Sequence, residues 1–205
     1  MSDQVELTDP VDHSVGGMYG HLFRRVFHLA MSFIPLVYYE FGEKIADYLS
    51  IEIMQMVSAI TLLIVFSEAV RLKLGITIFG QRDYESRQVS ALAWGGLAVG
   101  MTFLTLPDSP ELVWPLILSL SLGDPFLGEM RRKGFEPKPV FIYGTIFLML
   151  VWFACYMQLG TPIWLVFVMS PLCVAAEWPR LRWIDDNATM LLIPLSAVIM
   201  LAPWL

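Results

Sequence analysis

Two stretches of the chain combine residue types suited to metal and phosphate chemistry. In one, Glu177 precedes the run Asp185-Asp186-Asn187, which stands just before the last apolar stretch. A single Asp or Asn is enough to cap a helix N-terminus. Three such residues in a row supply a cluster of hard oxygens, the donor type Mg²⁺ prefers. In the other, an apolar segment runs into Gly123-Asp124, then Gly128, then Arg131-Arg132-Lys133. Asp124 adds another hard oxygen. Glycine lets a backbone come close to a phosphate, and N–H groups at a helix start favour anions. The three cations suit the charge of a polyphosphate. No Gly-Lys-Ser/Thr is present, so this is not a P-loop.

Three further clusters accompany them. Arg24-Arg25, with His28 one turn on, opens the first apolar segment as a basic membrane anchor would. Glu68 lies inside an otherwise apolar helix, where an ionisable group is costly and faces a partner or a cavity. Arg71, three residues on, is within pairing reach. The run Arg82-Asp83-Tyr84-Glu85-Ser86-Arg87 reads as a solvated charge run. Cys155 and Cys173 lie in apolar stretches without metal-ligand spacing and read as small buried hydrophobes.

The elements that must position these residues are membrane helices. Hydrophobic residues make up 57% of the chain and charged ones only 16%, against about 25% in a soluble domain. The mean hydropathy is +0.63. Segments of roughly 17–25 apolar residues can span a bilayer. The spacing predicts about seven, over 26–41, 51–72, 89–106, 112–127, 140–159, 162–176 and 188–205. The first, fourth and sixth are short or interrupted. Every basic residue except Lys44 falls within, or within two residues of, the N-terminal arm or the connections 73–88, 128–139 and 177–187. The positive-inside rule then sets the N-terminus in the cytoplasm and the C-terminus outside. The expected fold is an all-α polytopic bundle: a soluble, mobile arm over 1–23, then one transmembrane domain over 24–205. No signal peptide is expected from the acidic start.

The order of the clusters resembles the CTP-dependent lipid alcohol kinases: dolichol kinases, phytol and farnesol kinases, and the fungal CTP-using diacylglycerol kinase. Arg24, Arg25 and His28 look like that family's basic pair and histidine, and Glu68 with Arg71 is similar to its Glu-Arg element. Gly123, Asp124, Gly128 and Gly134 look like its Gly-Asp element in a CTP-binding loop. Glu177, Asp185, Asp186, Asn187 and the downstream Pro194 match its Glu and Asp-Asp-Asn before the last apolar stretch. Pro125-Phe126 stand where the family has alanine-rich residues. Lys138 stands where it often carries Lys-Ser/Thr-x-Glu-Gly.

The resemblance implies transfer of the γ-phosphate of CTP to a prenyl-type lipid alcohol at the cytoplasmic interface of a membrane, read here as a prokaryotic plasma membrane. Asp124, with Asp185, Asp186 and Asn187, would hold Mg²⁺. Gly123, Gly128, Arg131, Arg132, Lys133, Lys138, Arg24 and Arg25 would meet the nucleotide's phosphates. Asp186, Glu177 or His28 would take the alcohol's proton, and Glu68 and Arg71 would support the site. Membrane lipids and the alcohol are the expected partners, and no nucleic acid is. The alternatives are a CTP-using cytidylyltransferase, whose C-terminal Lys-Asp and His-Gly-Gly signature is absent here, and a transporter.

Overall fold

The computed structural model describes residues 14–205 apart from Arg180 and Arg182. Most of the acidic arm and those two arginines lie outside the described residues. Within them the chain is helical: α1 Gly17–Met31, α2 Ile34–Tyr48, α3 Ile53–Leu74, α4 Ala91–Thr105, α5 Pro110–Arg132, α6 Pro137–Leu159, α7 Ile163–Glu177 and α8 Asp186–Leu201. Short 3-10 turns cover Asp83–Arg87 and Ala202–Trp204.

Local chemistry sets the boundaries. Glu52 and Gln55 form a reciprocal capping box at the start of α3, and Gly75, at φ 64°, ends it in the left-handed conformation that glycine adopts without strain. Ser90 caps α4 by accepting from the Ala93 N–H at 3.2 Å. The apolar segment over 26–41, expected as one span, is divided. Pro35 has no N–H to give the Met31 carbonyl. Ser32 and Phe33 instead donate three residues back, to Leu29 and Ala30, and α1 ends there. α2 then runs on to Tyr48, so Lys44 lies in a helix and not in a turn. The arm also differs from its expected mobility where it is described. Val15 exchanges backbone bonds with Gln81 and Gly80 at 2.8 and 3.0 Å, and α1 starts at Gly17.

α5 is the central helix. It packs on α1, α6 and α8, with α7 and α2 also in contact, while α3 and α4 pair on the far side of α8. Helices close up through small residues, as they do where lipid is the solvent. A Cβ on Gly144 would run into Leu127, and one on Gly123 would stand 2.6 Å from Met190 and 3.2 Å from Leu148. Trp152, fully buried, donates to Ser119 Oγ at 2.8 Å. Pro115 frees the Glu111 carbonyl inside α5, and the Thr161 hydroxyl from the α6–α7 turn donates to it at 2.6 Å.

The outside of the bundle is apolar. Leu62, Leu63 and Phe66 on α3, and Ile142, Ile146 and Leu150 on α6, are all exposed. Among the described residues, three helices are long and apolar enough to cross a membrane: α3, α6, and α8 with the turn that follows it. α4 and α7 are shorter and apolar. Cys155 and Cys173 are both free and buried.

The Thr161 contact gives a test of this packing. Thr161→Val removes the donor and leaves the Glu111 carbonyl unpartnered, at a cost of about 1–3 kcal/mol. Thermal unfolding in detergent should show a lower midpoint for Thr161→Val and near-native behaviour for Thr161→Ser.

Candidate metal and phosphate site

Two helix ends meet the C-terminal half of α5 at one end of the bundle. Asp124 comes from that half of α5, Glu177 is the last residue of α7 and Asp186 is the first of α8. One carboxylate oxygen from each lies within 4.8 Å of the other two. The local sequence explains the convergence. Pro179 follows the end of α7 and cannot extend it. Asp185 caps α8, its Oδ1 accepting from the Asn187 N–H at 3.1 Å, which turns Asp186 into the first helical residue. Desolvation, and then the charge of Asp186 beside it, hold the Asp185 carboxyl well above the usual carboxylate range.

The Glu177 side chain is almost fully buried and pairs with Arg131. Burial of a carboxylate is costly even beside one cation. Arginines surround the cluster. The charges of Arg82, Arg24 and Arg131 all reach Asp186. Arg131 also lies over the Trp178 ring, 5.7 Å from its centroid. His28, buried on α1, brings Nδ1 to 3.3 Å from Asp124 Oδ2.

The other residues singled out from sequence take varied positions. Asn187 does not face the three carboxylates' shared space in the same way: its Nδ2 donates to the Ala91 carbonyl at 3.2 Å. Arg25 and Arg132 are both paired with Glu129, at 3.0 and 2.7 Å. Arg25 Nε also donates to His21 Nε2 at 2.9 Å. Lys133 is exposed at the end of α5, and Lys138 lines an open groove with Phe141 and Trp178. Glu68 and Arg71 form a buried two-pronged pair at 2.7 and 2.8 Å. The same Glu68 accepts from the Ser90 N–H at 2.5 Å, and Arg71 donates to the carbonyls of Ile76 and Gln88. That pair fastens the α3–α4 connection and does not touch the cluster.

Two expectations need correction. Gly123, Asp124 and Gly128 lie inside α5, which runs without a break to Arg132. There is thus no loop and no helix start at Gly-Asp to offer free N–H groups to an anion. Gly123 serves close packing of α5 on α6 and α8, while Gly128 faces Arg25. The run over 82–87 is also not simply solvated. Glu85 is buried, pairs with Arg24 at 2.9 Å, and accepts from the N–H groups of Arg82 and Ala91. Arg82 donates to the Tyr84 hydroxyl at 2.7 Å, and its charge acts on Asp186. A Glu three residues after the start of a turn was the available signal, since it can fold back as half of a capping box.

No family model, no curated protein and no solved structure matches this chain.

The chemistry therefore rests on the residues. The donor set is all oxygen and comes from three separate helices, which fits a hard divalent cation such as Mg²⁺. The surrounding arginines fit phosphate oxygens. Clustered like charges oppose folding, so a binding site of this kind is a local cost to stability. Glu177→Gln and Asp124→Asn should leave the thermal midpoint unchanged or raise it. Glu68→Ala, which strands Arg71 in the interior, should lower stability by about 3–5 kcal/mol. Detergent-phase melting of the three variants against the parent checks the contrast.

Proposed function

We propose that the chain is an integral-membrane kinase that transfers the γ-phosphoryl group of CTP to the hydroxyl of a prenyl-type lipid alcohol. The observation that carries this reading is the trio Asp124, Glu177 and Asp186 within one cation's reach, with Arg131 on Glu177 and the positive charges of Arg24 and Arg82 acting on Asp186, on a bundle with an apolar exterior. The cluster order shared with the lipid alcohol kinases supports CTP as donor and a lipid alcohol as acceptor.

Phosphoryl transfer asks a protein for positioning and charge neutralisation more than for covalent chemistry. Asp124, Glu177 and Asp186 would hold Mg²⁺, which when bound supplies charge neutralisation of the triphosphate. Arg131, drawn from Glu177 to phosphate, and Arg24 and Arg82 cradle the remaining anionic oxygens. Asp124 orients His28, which takes up the alcohol's proton. The alcohol oxygen bonds to the γ-phosphorus as its bond to the β–γ bridging oxygen breaks, and CDP leaves. Asp185 keeps the α8 cap that aims Asp186.

The topology belongs to the same reading. α1 and α2 together make one broken crossing, and α3 to α8 make six more, with the N-terminus cytoplasmic and the C-terminus outside. The joining of the α3, α5 and α7 C-terminal ends with the α4 and α8 N-terminal ends supports an alternating up-and-down order. The site then faces the cytoplasm, consistent with the basic connections on that side.

Purified protein in detergent, given Mg²⁺, γ-labelled CTP and a panel of prenyl alcohols with diacylglycerol, should place label in a lipid monophosphate. Asp124→Asn and Asp186→Asn should each lower that turnover on the order of 10²–10³-fold, with folding retained. Label released as pyrophosphate would instead identify nucleotidyl transfer to a phospholipid. Unchanged turnover in both variants would remove the site assignment.

A further inference from the structure

Beside the carboxylate cluster, a narrow cleft of about 50 Å³ opens between α1, the segment after α3 and the first turns of α4. Phe23, Phe27 and Phe79 wall it, and all three are also exposed on the outer face. Its polar lining is unusual. Gln81 and Asn187 are 4% and 2% exposed, and each has a side-chain atom with no hydrogen-bond partner among the described residues: Gln81 Nε2 and Asn187 Oδ1. His28, facing Asp124, and the Arg24–Glu85 ion pair line the cleft as well.

The two amides are held in known orientations. Gln81 Oε1 accepts from the Ile78 N–H at 2.9 Å, which leaves Nε2 as the free end. Asn187 Nδ2 donates to the Ala91 carbonyl, which leaves Oδ1 free. The cleft therefore offers one unused donor and one unused acceptor, between phenylalanine walls on one side and the paired Arg24, Glu85 and His28 on the other. Each buried group without a partner costs about 1–3 kcal/mol, so the pair favours a ligand atom that both accepts and donates. A hydroxyl does both. An aldehyde or ether oxygen cannot donate, and an ammonium cannot accept. The volume suits a hydroxymethyl group, near the ~30 Å³ share of one water. The rest of an apolar chain can leave between the exposed phenylalanines into lipid.

We propose that this cleft seats the hydroxyl end of a long-chain apolar alcohol, with Gln81 Nε2 donating to its oxygen and Asn187 Oδ1 accepting its hydrogen until His28, which lines the same cleft, takes up the proton during transfer. The inference rests on the phosphotransfer reading for the hydroxyl being the acceptor, and it assigns Asn187 to the alcohol and not to the metal. It also makes Gln81 and Asn187 the residues that read the acceptor's head group.

The test labels the protein in detergent with a prenyl alcohol carrying a photoreactive diazirine, without nucleotide or metal, and maps the adducts by mass spectrometry. Adducts should fall on peptides containing Phe23, Phe27 or Phe79. The plain alcohol should compete at least about tenfold better than the aldehyde of the same chain, because a site built for a hydroxyl leaves groups unpaired with its analogue. A Cβ on Gly95 stands 3.7 Å from Met31 and 3.9 Å from Asn187, ordinary contact distances. Gly95→Ala should therefore label normally, whereas Gly95→Leu fills the cleft and should lose labelling. Gln81→Glu keeps the acceptor for the Ile78 N–H and removes the free donor, so the alcohol should compete at least tenfold less well. Adducts scattered over the outer helices, equal competition by alcohol and aldehyde, or full labelling of Gly95→Leu would each overturn the proposal. Labelling as expected without any γ-phosphoryl transfer would sink only the kinase reading. Transfer with an unchanged alcohol KM in Gly95→Leu would sink only the cleft.

Discussion

Three carboxylates with oxygens within 4.8 Å of one another repel, and the repulsion is strong where water is scarce. The arrangement at this end of the bundle follows from that constraint. Arg131 comes from α5 to Glu177 on α7, and Arg24 on α1 and Arg82 in the α3–α4 connection add positive charge around Asp186 on α8. The arginines need anchoring in turn. Glu85 anchors Arg24 and at the same time accepts from the start of α4. The Glu68–Arg71 pair fixes the connection that carries both Arg82 and Glu85. Neutralising the cluster thus ties α1, α4, α5, α7 and α8 into one polar end, above helices whose other contacts are apolar and closely packed.

The sequence carried this end unevenly. Asp124 and Asp186 were marked as candidate ligands and Glu177 as a candidate proton acceptor, by their type and by their place at the ends of apolar runs. The oxygens of these three converge, whereas Asp185 and Asn187, also marked as ligands, respectively cap α8 and bond to the α4 start. All-helical structure followed from composition, since lipid leaves few other ways to satisfy backbone groups. The positions that escaped are those where tertiary contact decides. Gly123 and Gly128 read as loop residues because glycine is a poor helix former in water, yet between packed helices a glycine permits close approach, as Met190 and Leu148 show at Gly123. Hydropathy is blind to Pro35, which divides an apolar run into α1 and α2. Glu85 looked solvated because its neighbours Asp83, Ser86 and Arg87 are polar, and only the approach of Arg24, sixty-one positions earlier, gives it a reason to be buried.

The same geometry separates residues that hold the site from those that form it. Glu68, Arg71, Glu85 and Gly123 stabilise the frame. The like charges of Asp124, Glu177 and Asp186 repel one another, which is the pattern expected where a bound cation supplies the missing partner.

The central claim is that those three side chains bind one divalent cation. Titration of the detergent-purified protein with Mn²⁺, followed by electron paramagnetic resonance and competed with Mg²⁺, tests it directly. The account predicts a Mg²⁺-sensitive Mn²⁺ signal that is lost in Glu177→Gln and kept in Asn187→Ser. A signal unaffected by Glu177→Gln, or no bound Mn²⁺ with or without CTP, would contradict it.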